Sequence, residues 1–319
     1  MTLKLRYGNI FIMKKPTIVQ IASLAIILLS FWFIGEKLWV HHNWLRTSAI
    51  NLELIVIVFV CAIIYGTSEF LLSAAWRRLL IWCGHKDISV YLCHAIYGKT
   101  QIAKYIPGNV FHVAGRHILG SRAGVKHIVL AGAAIYEILG LLTISVLIGF
   151  GGMVIFGIEN IYLPSYQIIL ILLVTIVMSI LVTAVTPYLM SLRGIILTHH
   201  GVWDSIRNLC KVYFLYFMFF LIAGLLLVFI VNIFLDMNFI IAAKIIAIFS
   251  IAWVAGFIVP GAPGGIGVRE AVIIFLITPI IGEAQGIAVA VALRFVTLIG
   301  DVWFLIISDK KNLALRRCV

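Results

Sequence analysis

The chain has 319 residues, of which 63% are hydrophobic and only 11% charged, with a mean hydropathy of +1.16. A soluble core cannot use that much apolar surface, so the composition points to a polytopic membrane protein and excludes a soluble enzyme or binding domain. The net charge of +12 does not argue for nucleic acid, because the basic residues gather in segments that can all lie on one side of a bilayer.

Residues 1–15 form a basic tail with Lys4, Arg6, Lys14 and Lys15. No small-residue cleavage site follows the first apolar run, so it reads as a retained helix rather than a removed signal. The first span is expected over 17–35, followed by a connector at 36–49 in which Trp39 and Trp44 read as interfacial anchors. The second span, 50–74, carries Glu53 near one end and Glu69 near the other, and Arg77, Arg78 and Lys86 mark its cytoplasmic side.

Residues 88–125 are too polar for a lipid-facing span and basic at both flanks. His94, Gln101 and Lys104 recur at helical spacing, and the segment breaks at Pro107-Gly108-Asn109. An interfacial or re-entrant helix that begins and ends in the cytoplasm fits best, with Lys104 and His112 facing headgroups. The remaining spans are expected at 127–150 (with Glu137 deep inside), 166–188, 212–234, 239–259, 268–281 and 284–307. The 268–281 helix is about 21 Å long at helical rise, short of a full span. Twenty Lys and Arg residues fall in the segments assigned to the inside, two (Lys37 and Arg46) fall outside, and Lys244 and Arg294 lie within spans. That asymmetry places both termini in the cytoplasm.

The most unusual stretch is 256–270. Pro260 and Pro263 break helix, Gly261, Gly264, Gly265 and Gly267 permit left-handed backbone, and Arg269–Glu270 begins the next helix. Bare backbone at membrane depth is tolerated when it is buried in protein or lines a wet cavity. A helix start supplies free N–H groups and partial positive charge that suit an anionic headgroup. The break at Pro107-Gly108 matches the one at Pro260-Gly261: in each an arginine, Arg116 or Arg269, follows the proline nine residues later. Paired broken segments in two halves of a membrane protein point to a binding site at a repeat interface, here a possible inverted repeat.

Individual residues carry two readings each. Glu137 is a functional candidate as an intramembrane acid, or a structural partner for an arginine. Arg116, Arg269 and Arg294 could clamp a phosphate, or Arg116 and Arg269 could snorkel to headgroups. Arg294 and Asp301, seven residues apart on one helical face, are each potential partners for Glu137. Glu270 could act on a ligand or cap its helix. Asn109 could bond a headgroup or terminate the broken helix. The adjacent pairs His41–His42 and His199–His200 lack the spacing of a metal site, the five cysteines are scattered, and no Ser–His–Asp or Cys–His set stands out. Neither metal nor cofactor is expected.

Tyr105-Ile-Pro-Gly-Asn-Val with Arg116, Glu137 in the next span, and Pro263-Gly-Gly-Ile-Gly-Val-Arg-Glu270 resemble the lysylphosphatidylglycerol synthase transmembrane-region family. The resemblance covers residues from about 15 to 310. Its best-known members carry a flippase domain that moves aminoacylated phosphatidylglycerol across the bilayer. The bifunctional members also have a soluble aminoacyl-transferase domain after the membrane part, which the sequence up to Val319 does not include.

The sequence therefore leads to one transmembrane domain over 1–319, all-α, with about eight transmembrane helices and two re-entrant or broken helices. A bacterial inner-membrane translocator for a phospholipid or lipid-linked saccharide with an anionic headgroup is the leading expectation. Its binding residues would be Asn109, Arg116, Glu137, Gly264, Gly265, Gly267, Arg269, Glu270 and Arg294. A membrane-embedded transferase using Glu137 or Glu270 as base is a second reading. A non-catalytic partner of a glycosyltransferase or lipid synthase is a third, and a homo-oligomer is compatible with each of them. Movement of unaltered lipid, appearance of a new product, or activity only with a co-purified enzyme would tell them apart.

Overall fold

A computed structural model describes residues 52–85, 88–106, 110–158, 164–192, 202–259 and 262–316, with a few isolated residues between 32 and 40. The expected first span, the connector with its histidine pair, Asn109 and the Pro260-Gly261 pair lie outside the described residues. So does the loop at 193–201.

Every regular element among the described residues is helical. Among the described residues six helices are long and apolar enough to cross a membrane. They are α1 (Leu52–Trp82), α4 (His127–Phe156), α6 (Val202–Val231), α7 (Phe239–Ile258), α8 (Val268–Ile281, with the turn before it) and α9 (Glu283–Arg316). Between them lie two short helices, α2 (Val90–Gln101) and α3 (Phe111–Arg122), and a peripheral one, α5 (Ser165–Leu192), with a shorter apolar stretch over Tyr166–Leu181. The protein is an all-α, multi-pass membrane protein.

The sidedness of these helices follows from their composition. They are apolar nearly all round, as membrane helices are. Ile169, Leu170, Leu173, Val174, Val177 and Ile180 of α5 are exposed, a surface that suits lipid tails. The polar residues turn inward: Glu69, Glu137, Asp301, Arg116 and Gln101 are all buried. In hydrocarbon this arrangement is required, because an isolated charge facing lipid is expensive.

α1 packs against α9, α6 and α2, while α4 packs against α7. α7, α8 and α9 follow as two consecutive hairpins. The α1–α9 crossing is very close. A Cβ on Gly66 would collide with the Gly300 carbonyl, and one on Gly300 would lie 2.7 Å from the Tyr65 ring. Small residues let membrane helices approach in this way. The crossing matters for function because Glu69 and Asp301 lie within one turn of it.

Several boundaries differ from the sequence reading. α1 runs to Trp82 and takes in Arg77 and Arg78, and α6 begins at Val202, well before the expected 212. Hydropathy ends a span where charge begins, but a backbone has no reason to stop there while its hydrogen bonds continue. Arg77 is held by donating Nε–H to the Ile88 carbonyl at 3.0 Å, which ties the helix end to the following loop.

Candidate functional site

Both breaks end a helix at the residue before a proline. Ile106 (φ −77°, ψ 134°) precedes Pro107, and Val259 (φ −68°, ψ 111°) precedes Pro260. The proline ring excludes the α conformation from its predecessor, so the chain leaves the helix there. In the first break α2 tightens into a 3₁₀ turn, Ile102–Tyr105, before this exit. In the second, Gly264, Gly265 and Gly267 all take positive φ (58°, 72° and 84°), which only glycine adopts without strain.

The two breaks touch. The ring of Tyr105 sits where a side chain on Gly264 would go, 2.8 Å from that Cβ position, with Lys104 beside it. A cavity of about 70 Å³ opens here. That is several times the roughly 10–15 Å³ that one water needs. Lys104 and His112 from around the first break, Gly264, Gly265 and Arg269 from the second, and Arg116 and Glu137 all reach it. Apolar walls come from Leu72, Leu141, Phe219 and Trp253.

Four ion pairs, two of them sharing Lys104, lie around the cavity. Arg116 Nη1 lies 2.5 Å from Glu137 Oε1, which also accepts from the Tyr97 hydroxyl at 2.7 Å. The Arg116 guanidinium lies over the Tyr97 ring at 4.3 Å. Arg294 Nη1 lies 3.4 Å from Glu270 Oε1 and 3.4 Å from the Gly264 carbonyl. Lys104 Nζ is 2.8 Å from Asp301 Oδ1 and 3.9 Å from Glu69 Oε1, and Glu69 also accepts from Gln101 at 2.8 Å. The Tyr105 hydroxyl donates to Asp301 Oδ2.

These contacts decide several open readings. Glu137 pairs with Arg116 and not with Arg294 or Asp301, which turn to the two breaks instead. Arg294 and Asp301 do share a face: one guanidinium lies 5.2 Å from the Tyr105 ring centroid, and the other side chain binds that residue's hydroxyl. Lys104 does not face headgroups, since its ammonium is clasped by two carboxylates. His94, Gln101 and Lys104 share a face, and it is turned to α1: His94 Nδ1 lies 2.5 Å from Ser73 Oγ, while the other two reach Glu69. Glu270 caps its own helix, its Oε2 accepting from the Gly267 N–H at 2.7 Å. The start of α8 is thus partly filled by a carboxylate of the chain.

Arg269 lies in the first turn of α8. Among the described residues it makes no ion pair, and its buried Nε–H has no acceptor. His112 contributes a second buried nitrogen, Nδ1, without a partner. Burial, then the charges of Arg116 and Lys104, push the His112 imidazole down to about 3, so it is neutral at physiological pH. A group carrying acceptor oxygens would satisfy the arginine. No set of side chains suited to holding a metal ion occurs among the described residues. Burial pushes the Cys83 and Cys93 thiols up to about 12, so neither is a nucleophile at neutral pH.

Sequence reasoning missed the tyrosines. Tyr65, Tyr97 and Tyr105 knit the polar core together, but a tyrosine in an apolar run carries no signal that separates a network member from an interfacial anchor. Glu69 carried a signal, being an acid near the end of a span, yet its partners Gln101 and Lys104 lie on a segment whose docking is not written in its spacing. Neither protein-family models nor curated proteins match this chain.

Proposed function

We propose that the protein is a translocator for a membrane lipid whose headgroup carries a phosphate, acting in the bacterial plasma membrane with both termini cytoplasmic. The observation that carries the reading is Arg269: a cation with a buried, unsatisfied donor, facing a small cavity of charged and apolar walls between two broken helices. A phosphate offers the acceptor oxygens that guanidinium binds best. The cavity volume suits a headgroup phosphate and not an acyl chain, which would stay in the bilayer. A polar path through the protein avoids moving the charged head through hydrocarbon, where the cost is largest. The resemblance to the lysylphosphatidylglycerol synthase transmembrane-region family points to the same reading, since the residues that carry it include Tyr105 and the Pro263–Glu270 run on either side of the Tyr105–Gly264 contact.

The identity of the lipid that co-purifies with the protein tests this. A phosphate-bearing lipid is expected in the wild type and depleted in Arg269→Ala. Retention of the same anionic lipid by that variant, or recovery of neutral lipids alone, would contradict the reading.

A further inference from the structure

The charges around the cavity fall into two unbalanced halves. On the α8 side Arg294 is matched by Glu270, while Arg269 is matched by no carboxylate among the described residues. On the α1–α9 side a single ammonium, Lys104, is shared by two carboxylates, Glu69 and Asp301, whose side chains are 0% exposed. Arg116 and Glu137 form a neutral pair between them. Formally one half carries an excess positive charge and the other an excess negative charge. Lys104 of the acidic half and Arg269 of the other line the same cavity, so the two halves meet across it.

An anion bound by Arg269 removes that compensation. The acidic half would then hold an uncompensated charge away from water, a costly state that buried carboxylates escape by taking up a proton. Glu69 offers a place for it: its Oε2 is buried and has no hydrogen-bond partner, while Oε1 is already bound to Gln101. We propose that binding of a phosphate-bearing anion at Arg269 is coupled to uptake of one proton by Glu69. The proton comes from water, an O–H bond forms on the Glu69 carboxylate, and Lys104 then faces one remaining negative charge. This inference rests on the function proposed above and extends it, since a proton gradient would then supply the driving force for lipid movement.

Lys104 and Tyr105 in the first break contact the acids directly, and Tyr65 on α1 and Tyr97 on α2 lie within electrostatic reach of Glu69. His94 on α2 sits one turn along α1 at Ser73, Arg294 on α9 packs on the Tyr105 ring, and Arg269 on α8 lines the cavity that Lys104 also lines. His94 is engaged with Ser73, and Tyr97 with Glu137. On α6, Tyr216 lies beside the Arg116–Glu137 pair. Lys104, bound directly to both acids, is the group whose position a proton would change.

The test is calorimetric titration of the purified full chain in buffers of different ionisation enthalpy. One arm uses dimethyl phosphate, whose charge is fixed near neutral pH. The other uses a short-chain phosphatidylglycerol added to phosphatidylcholine nanodiscs. Wild-type protein should take up one proton per anion, and its affinity should fall about tenfold per pH unit above the titration midpoint, as one-proton linkage requires. Glu69→Gln should bind with no proton uptake and no such slope, and Asp301→Asn is the second variant should the first fail to fold. Binding of the lipid alone assigns the site to a headgroup, and binding of both probes assigns it to the phosphate itself; proton uptake in either supports the coupling. Anion binding with no proton uptake would overturn the coupling and leave the anion site standing. No binding of either probe would overturn both.

Discussion

Tyr105 and Gly264 hold the two broken helices together. The phenol ring occupies the space a side chain on Gly264 would need, and the glycine sits at φ 58°. Two independent penalties therefore guard this position. A non-glycine residue in left-handed backbone costs about 1–2 kcal/mol, and overfilling a packed contact costs about 1–3 kcal/mol more. Gly264→Ala should lower the thermal unfolding midpoint in detergent, and Tyr105→Ala in the same chain should restore part of the loss. An unchanged midpoint for Gly264→Ala would show that the contact does not hold.

The Arg116–Glu137 pair should behave as structure. Removing one partner of a buried ion pair leaves a charge without compensation and costs about 3–5 kcal/mol. Arg116→Met and Glu137→Gln should each destabilise strongly, and the double variant should be more stable than either single one. A double-mutant cycle on unfolding in detergent measures this, and additive losses would refute the pairing.

The α1–α9 crossing should tolerate no added bulk. Gly66→Val would push a side chain into the Gly300 carbonyl and separate the helices that place Glu69 and Asp301 around Lys104. A loss of about 1–3 kcal/mol is expected from overpacking alone. The same substitution should also weaken anion binding, a readout that a purely local defect would leave untouched.

Acidification should destabilise the fold through His112. Its folded value of about 3 lies below the ordinary value of 6.5, so the unfolded chain takes up the proton first. The neutral imidazole carries no penalty above about pH 6.5, and stability is lost as pH falls from there toward 3. By pH 5 the loss should be on the order of 1–2 kcal/mol. Unfolding midpoints measured between pH 7.5 and 5 should fall with a steeper slope in wild type than in His112→Gln.

Much of the architecture was legible because membrane helices announce themselves. Continuous apolar runs placed α4, α7 and α8 within a few residues, and prolines after Ile106 and Val259 marked both breaks. The helix ends at Trp82 and Val202 were not legible, because charged residues end an apolar run without ending a helix. Pairing was legible only in outline. Glu137, Arg294 and Asp301 stood out as intramembrane charges, but which cation meets which acid depends on how α2 and α3 dock between α1 and α4. The dock is set by contacts such as Gln101 to Glu69 and Tyr97 to Glu137, whose members lie 32 and 40 residues apart.

The proposed role of Arg269 is to receive a lipid headgroup on its way across the bilayer. Vesicles reconstituted with the purified protein and a fluorescent phosphatidylglycerol test it, with chemical quenching of the outer leaflet reporting movement. Wild type should expose lipid that protein-free vesicles keep hidden. Arg269→Ala, with its unfolding midpoint measured alongside to confirm that it is folded, should reduce that exposure to the protein-free level. Equal movement by the variant and the wild type, or none by either, would contradict the account.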